Sequence, residues 1–169
     1  MERTIIIKGR VPSSVTNLTV TGSFTIHDIL LDSTLSADGD YTGTIIAGTA
    51  GATLAFGDVV VLDVTDSRWE LASVSAAASA DGDARGLLGM CVLAAAADGA
   101  ATEILLHGTI RADAKFPTLT VGGQVYATTA GAVTVTRPST TDHVIRVLGA
   151  AITADSLYFN PSPDYATAI

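Results

Sequence analysis

Cys91 is the only cysteine in this chain, so no intrachain disulfide framework holds it together. The thiol lies inside the apolar run Leu87-Leu88-Gly89-Met90-Cys91-Val92-Leu93, which predicts a buried structural residue. Charge is scarce as well: Asp, Glu, Lys and Arg make up 15%, against the roughly 25% of ordinary soluble domains. Aromatic residues reach only 5%, so a core of Val, Leu, Ile and Ala with few large anchors is expected. Sparse charge and a mean hydropathy of +0.44 predict that other chains cover part of the surface. Nine Lys and Arg face 17 Asp and Glu, for a net charge of −8, and no basic run occurs. Binding nucleic acid through its phosphates requires clustered cations, so that class of partner is not expected. The acidic balance instead favours solubility. No run approaches the roughly 18 apolar residues of a membrane helix, and MERTIIIKGR lacks the apolar core of a signal peptide. Synthesis in the cytoplasm without a membrane partner is the expectation.

The 169 residues suffice for one domain with an appended arm. Residues 56–72, FGDVVVLDVTDSRWELA, organise the rest. They predict a strand, a polar turn at Thr65-Asp66-Ser67, and a short second strand carrying the only tryptophan. A weaker copy follows at residues 121–136, VGGQVYATTAGAVTVT, with its turn at Thr129-Ala130-Gly131. Each copy leads to a similar apolar strand, at residues 85–94 (RGLLGMCVLA) and 145–154 (IRVLGAAITA). Aligning Gly57 with Gly122 spaces the copies by 65 residues, and aligning Gly89 with Gly149 by 60.

Residues 1–36 differ from the remainder. Thr4 to Gly9 is a strand candidate, and residues 15–26 alternate in places, but large apolar residues are too few for a separate core. Either this segment is an arm that attaches to a neighbouring subunit, or its strands complete the main domain. Asp28 to Asp32 is a strand or a single helical turn. Tyr41 to Ile46 reads as a strand that Gly48 to Gly51 breaks. Val59 to Leu62 is apolar on both faces, which indicates a strand covered on both sides. Residues 73–85 read as a loop. Strands follow at Leu87 to Leu93 and Thr102 to Ile110, a plausible hairpin around Asp98-Gly99. Further strands fall at Gln124 to Thr128, Val133 to Thr136, His143 to Ile152 and Ser156 to Phe159. Short strands punctuated by Gly, Asp and Ser every 8–12 residues or so predict an all-β antiparallel barrel or sandwich with a weak internal two-fold repeat. The domain is expected over residues 37–160, with the Pro-containing residues 161–169 extended on a surface.

Candidate chemistry is thin. His27, His107 and His143 lack the close pairing of zinc ligands. Asp38-Gly39-Asp40 and Asp81-Gly82-Asp83 could supply oxygens to calcium, but turns use the same residues and the remaining ligands of a calcium loop are missing. No Gly-x-Ser-x-Gly elbow or local Cys–His pair supports a nucleophile. Glu70 and Glu103 could serve as a glycosidase pair, with Trp69 as a sugar platform, although a lone Trp in a hairpin is more often an anchor. Gly48-Thr49-Ala50-Gly51 and Gly122-Gly123 lack the Gly-Lys-Ser/Thr ending of a phosphate loop. No catalytic, cofactor-binding or metal-binding residue is assigned, and no enzyme is expected.

Five segments together carry a family resemblance: GDVVVLD (57–63), LLGMCV (87–92), LLHGTI (105–110), GQVYATT (123–129) and VLGAAI (147–152). In this order, covering about three quarters of the chain, they resemble the small β-domains of tailed-bacteriophage virion proteins. Such domains occur in capsid decoration proteins, head fibres and tail-fibre-associated proteins. The resemblance implies a non-catalytic barrel or sandwich, often trimeric, on the virion. Its partners would be the major capsid protein or tail proteins and copies of itself. A capsid decoration or head-fibre role is the leading expectation. A tail-fibre or receptor-binding module stands second and a carbohydrate-active enzyme third.

Overall fold

The computed structural model describes residues 34–75 and 82–169. Most of the expected N-terminal arm, the Asp28 to Asp32 segment, His27 and Asp81 lie outside the described residues. Among those described the protein is all-β, with eleven strands and no helix: nine lie in a curled antiparallel sheet that forms a half-barrel, and two pair in a small separate sheet.

β5 (Ala101–Arg111) is the spine. β1 (Tyr41–Thr49) pairs along its whole length on one edge. The other edge is shared end to end. β4 (Leu88–Leu93) takes Glu103 to Leu105, and β10 (Ser156–Phe159) takes Gly108 to Arg111. A strand has only two edges, so the sheet must split where β4 gives way to β10. Level with this split, on the intact edge of β5, Gly43 and Gly108 are paired across the β1–β5 ladder, both with φ near +150°. A Cβ on Gly43 would lie 2.1 Å from the carbonyl oxygen of His107, and one on Gly108 2.0 Å from that of Thr42. Only glycine lets the two backbones come this close while the strands bend.

Two similar units hang from the spine. The first is β3 (Trp69–Leu71), β2 (Val59–Leu62) and β4; the second is β7 (Val133–Thr134), β6 (Gln124–Ala127) and β9 (Val147–Ala151), joined to β5 through β10. Their hydrogen bonds coincide at the spacings read from the sequence. Gly57 N–H donates to the Cys91 carbonyl and Gly122 N–H to that of Ala151, both at 2.9 Å. Cys91 N–H in turn donates to Asp58 at 2.8 Å, and Ala151 N–H to Gly123 at 3.0 Å. Val60 lies opposite Gly89, as Val125 lies opposite Gly149. The repeat is therefore structural, built on the same turn and register.

The copies stack in the same sense. Val60, Trp69 and Cys91 on the front of the first copy form one cluster with Leu54, Ala95 and Ile104. Val59, Val61 and Met90 on its back enter the main core. There they meet Val125, Val133 and Ala151, which occupy front positions of the second copy. This explains the doubly apolar Val59 to Leu62: each face of β2 covers a different core. Trp69, only 2% exposed, fills the first cluster, and the parallel bridge from Ala50 to Trp69 turns the end of β1 over it.

Several strand boundaries shift by one or two residues, β7 stopping at Thr134 where a strand to Thr136 was expected, and two differences have a clear cause. β1 continues through Gly48 to Thr49, because Gly48 is an opening for the Trp69 indole and not a breaker. A Cβ there would lie 2.6 Å from the ring. The run expected as one strand from His143 to Ile152 divides into β8 (Val144–Ile145) and β9, with Arg146 at the break. The cause is the guanidinium, which turns inward to bind carbonyl groups.

Candidate functional site

The sequence candidates are scattered and mostly structural. His107 on β5 reaches Tyr158 on β10, with Nε2 and the phenol oxygen 2.6 Å apart. His143 enters β8 through backbone bonds to Thr140 and Ala168. The Asp38-Gly39-Asp40 segment is a turn whose carboxylates are used locally. Asp40 Oδ2 accepts from the Ser36 and Ala37 amides, and Asp38 Oδ1 from that of Asp113. Asp83 accepts from the Arg85 amide at 2.9 Å and guanidinium at 2.7 Å. Among the described residues no group of three or more His, Cys, Asp or Glu is placed to hold a metal ion. Glu70 lies on β3 opposite Val61 and Glu103 on β5 opposite Ala47, so the expected pair is divided between strands. Trp69 is a core anchor, as its place in a hairpin suggested, and offers no sugar platform. Cys91 is fully buried; burial pushes its thiol above the ordinary range, with a counteracting hydrogen bond between it and Thr102.

Buried charge appears at three other places among the described residues: Asp63, which accepts from the Thr65 amide at 2.8 Å, and Asp58 and Arg146. Asp58 accepts from the Ala55 amide through Oδ2 at 2.7 Å, while Lys115 forms an ion pair with its Oδ1. That second oxygen has Coulombic compensation and no directional hydrogen bond. Arg146 is 3% exposed. Its Nη1 donates to the carbonyl oxygens of Ala84, Arg85 and Gly86 at 2.8, 3.1 and 3.3 Å. Nε has no hydrogen-bond partner. Burial lowers the guanidinium pKa, and the negative charges of Asp164 and Asp83 oppose that shift. Arginine in this setting remains a cation. It fastens the loop that precedes β4 to the strand break before β9.

The most developed surface feature is a groove of about 320 Å³ on the back of the second copy. The C-terminal tail makes one wall. Asn160 N–H donates to Leu148 at 2.8 Å and Ser162 N–H to Val147 at 3.0 Å, and β11 (Ala166–Thr167) then pairs with β8. Ala168 closes the strap against Tyr126 and Ile145. Between strap and sheet, Tyr126, Ile145 and Val147 form the floor, with Gln124, Arg137, Asp164 and Tyr165 around it. The Tyr126 hydroxyl lies 2.7 Å from Gln124 Oε1, which orients both side chains. Arg85 lies over the Tyr165 ring, 5.7 Å from its centroid, and its own pair with Asp83 raises its pKa. Sequence reading missed this groove because its walls come from β6, the loop after β7, and the tail. The alternation Gln124-Val125-Tyr126 was the visible signal: it sends one apolar residue inward and two hydrogen-bonding ones outward.

No family model, curated protein or solved structure matches this chain.

Proposed function

We propose that the chain is a structural protein of a tailed-phage particle, a capsid decoration or head-fibre protein that binds the shell and adorns or stabilises it. The observation that carries this reading is β1. This strand contains no charged residue, and among the described residues it pairs with β5 along one edge only, apart from the Ala50 bridge at its end. Ile45 and Ile46, 37% and 36% exposed, point to opposite faces of it. A long edge without charge or proline is a site for adding another chain, and proteins that work alone protect such edges with those residues. In the proposed assembly this edge contacts neighbouring copies in a homotrimer, and residues 1–36 contact the major capsid protein. The five motif segments and the low charge content support the same reading.

Gold-labelled antibody on intact virions tests it. Label over the head supports decoration, whereas label confined to the tail tip would transfer the protein to the second reading, a receptor-binding module. The groove on the second copy is the observation that favours that alternative. Purified protein is expected to bind naked capsids and to lose binding when residues 1–36 are removed. Sedimentation should give a trimer that Ile45→Lys with Ile46→Lys dissociates; a monomeric parent would remove β1 from the proposal.

A further inference from the structure

Stacking the copies leaves one face without a cover. The first-copy positions Val59, Val61 and Met90 are buried beneath the second copy. Their counterparts in the second copy are Gln124, Tyr126 and Ala150, and the chain there carries polar and aromatic groups in place of aliphatic ones. We infer that the groove between this face and the C-terminal strap binds one neutral sugar ring.

Size sets the first limit: about 320 Å³ is the lower end of the ~300–1,000 Å³ range of small-ligand sites, room for a single ring. Two aromatic side chains are already oriented. Tyr126 is nearly buried with its hydroxyl held by Gln124, and Tyr165 is 50% exposed with its ring held under Arg85. An exposed, fixed ring offers the C–H face of a pyranose a stacking surface at little entropic cost.

Charge sets the second limit. Arg137 and Asp164 line the same groove, yet among the described residues neither side chain enters an ion pair or hydrogen bond. An anionic ligand would meet the Asp164 carboxylate, and the net charge of −8 would oppose it further. A cationic ligand would meet Arg137. Neighbouring hydroxyls of an uncharged sugar suit both at once, donating to the carboxylate and accepting from the guanidinium, while the Gln124 amide and Ser162 hydroxyl add further partners. So open a groove implies weak binding at each site, which several copies on one particle would strengthen through avidity. This inference does not depend on the capsid reading, because the groove lies wholly within one chain.

The test uses the full-length protein and saturation-transfer NMR, with the methyl glycosides of glucose, galactose, mannose, rhamnose and N-acetylglucosamine as probes. At least one glycoside should receive saturation. Tyr165→Ala and Asp164→Asn should each weaken its binding about tenfold or more while the far-UV circular dichroism keeps the folded β signature. Absence of saturation for every glycoside would overturn the inference, and so would binding that survives both variants. Tighter binding of glucuronate or inorganic phosphate than of any glycoside would overturn the assignment to neutral sugars. Virion labelling decides the location of the protein separately, so failure of either proposal leaves the other measurable.

Discussion

The first and second copies share a hydrogen-bonding frame and almost none of the side chains that fill it. Both use a glycine turn, at Gly57 and Gly122, bonded to the partner strand at equivalent positions. Around that frame, Trp69 stands where Val133 does, Cys91 where Ala151 does, and Asp58 where Gly123 does. What covers each face accounts for the difference. The front of the first copy faces a roof of loop segments around Leu54 and Ala95, and a large indole fills the space beneath. The front of the second meets the back of the first, sheet against sheet, where small β-branched and alanine side chains interdigitate. Turn and register thus define the unit, and its neighbours choose its residues.

Substitutions at equivalent positions test this comparison. Trp69→Ala should be the most damaging, costing about 3–5 kcal/mol, whereas Val133→Ala at the matching position should cost about 2 kcal/mol; urea unfolding of both would measure the gap. Equal losses would contradict the claim that the indole supports the first cluster alone. Next comes Arg146, which ties one copy to the other. Arg146→Ala leaves three carbonyls without their donor and should cost about 3 kcal/mol, with Arg146→Met less harmful because it removes a buried charge at similar volume. Asp58→Gly installs the residue of the second copy in the first. It removes the cap on Ala55 and strands Lys115, for about 2 kcal/mol by thermal melting. The smallest effect is expected from Cys91→Ala, again a second-copy residue, at about 1 kcal/mol. The Cys91 thiol also adds a pH signature. Because burial raises its pKa in the folded state, its contribution is fully present below the unfolded thiol's pKa of about 9 and is lost as pH rises through the folded value. Cys91→Ala should flatten that alkaline loss, as urea unfolding across the alkaline range would show.

Much of this frame was legible because it is local. Glycine and aspartate turns fell where expected, and the spacings of 65 and 60 residues became matching hydrogen bonds. The doubly apolar Val59 to Leu62 announced two cores. What failed to show was set by distant partners. Gly48 looked like a breaker because nothing near it in the chain reveals that an indole from Trp69 will lie against it. Arg146 sits in an apolar run and interrupts it only because carbonyls some sixty residues earlier accept its protons. The groove joins residues of β6 to a tail that composition alone described only as extended, with no sign of the β11 pairing that holds it.

The shared edge of β5 also bears on how the chain folds. β2 and β3 can find each other across a short turn, but β1 must wait for β5, whose partners run from Tyr41 with Ile110 to Thr49 with Ala101. β10 must then dock on the far half of the same strand before the second copy is anchored. Pairings this remote in sequence put loop closure ahead of any stabilising contact, so refolding is expected on the scale of milliseconds to seconds. Throughout that interval Ile45 and Ile46 lie on an unpaired strand, and crowded refolding should therefore lose material to aggregation before dilute refolding does.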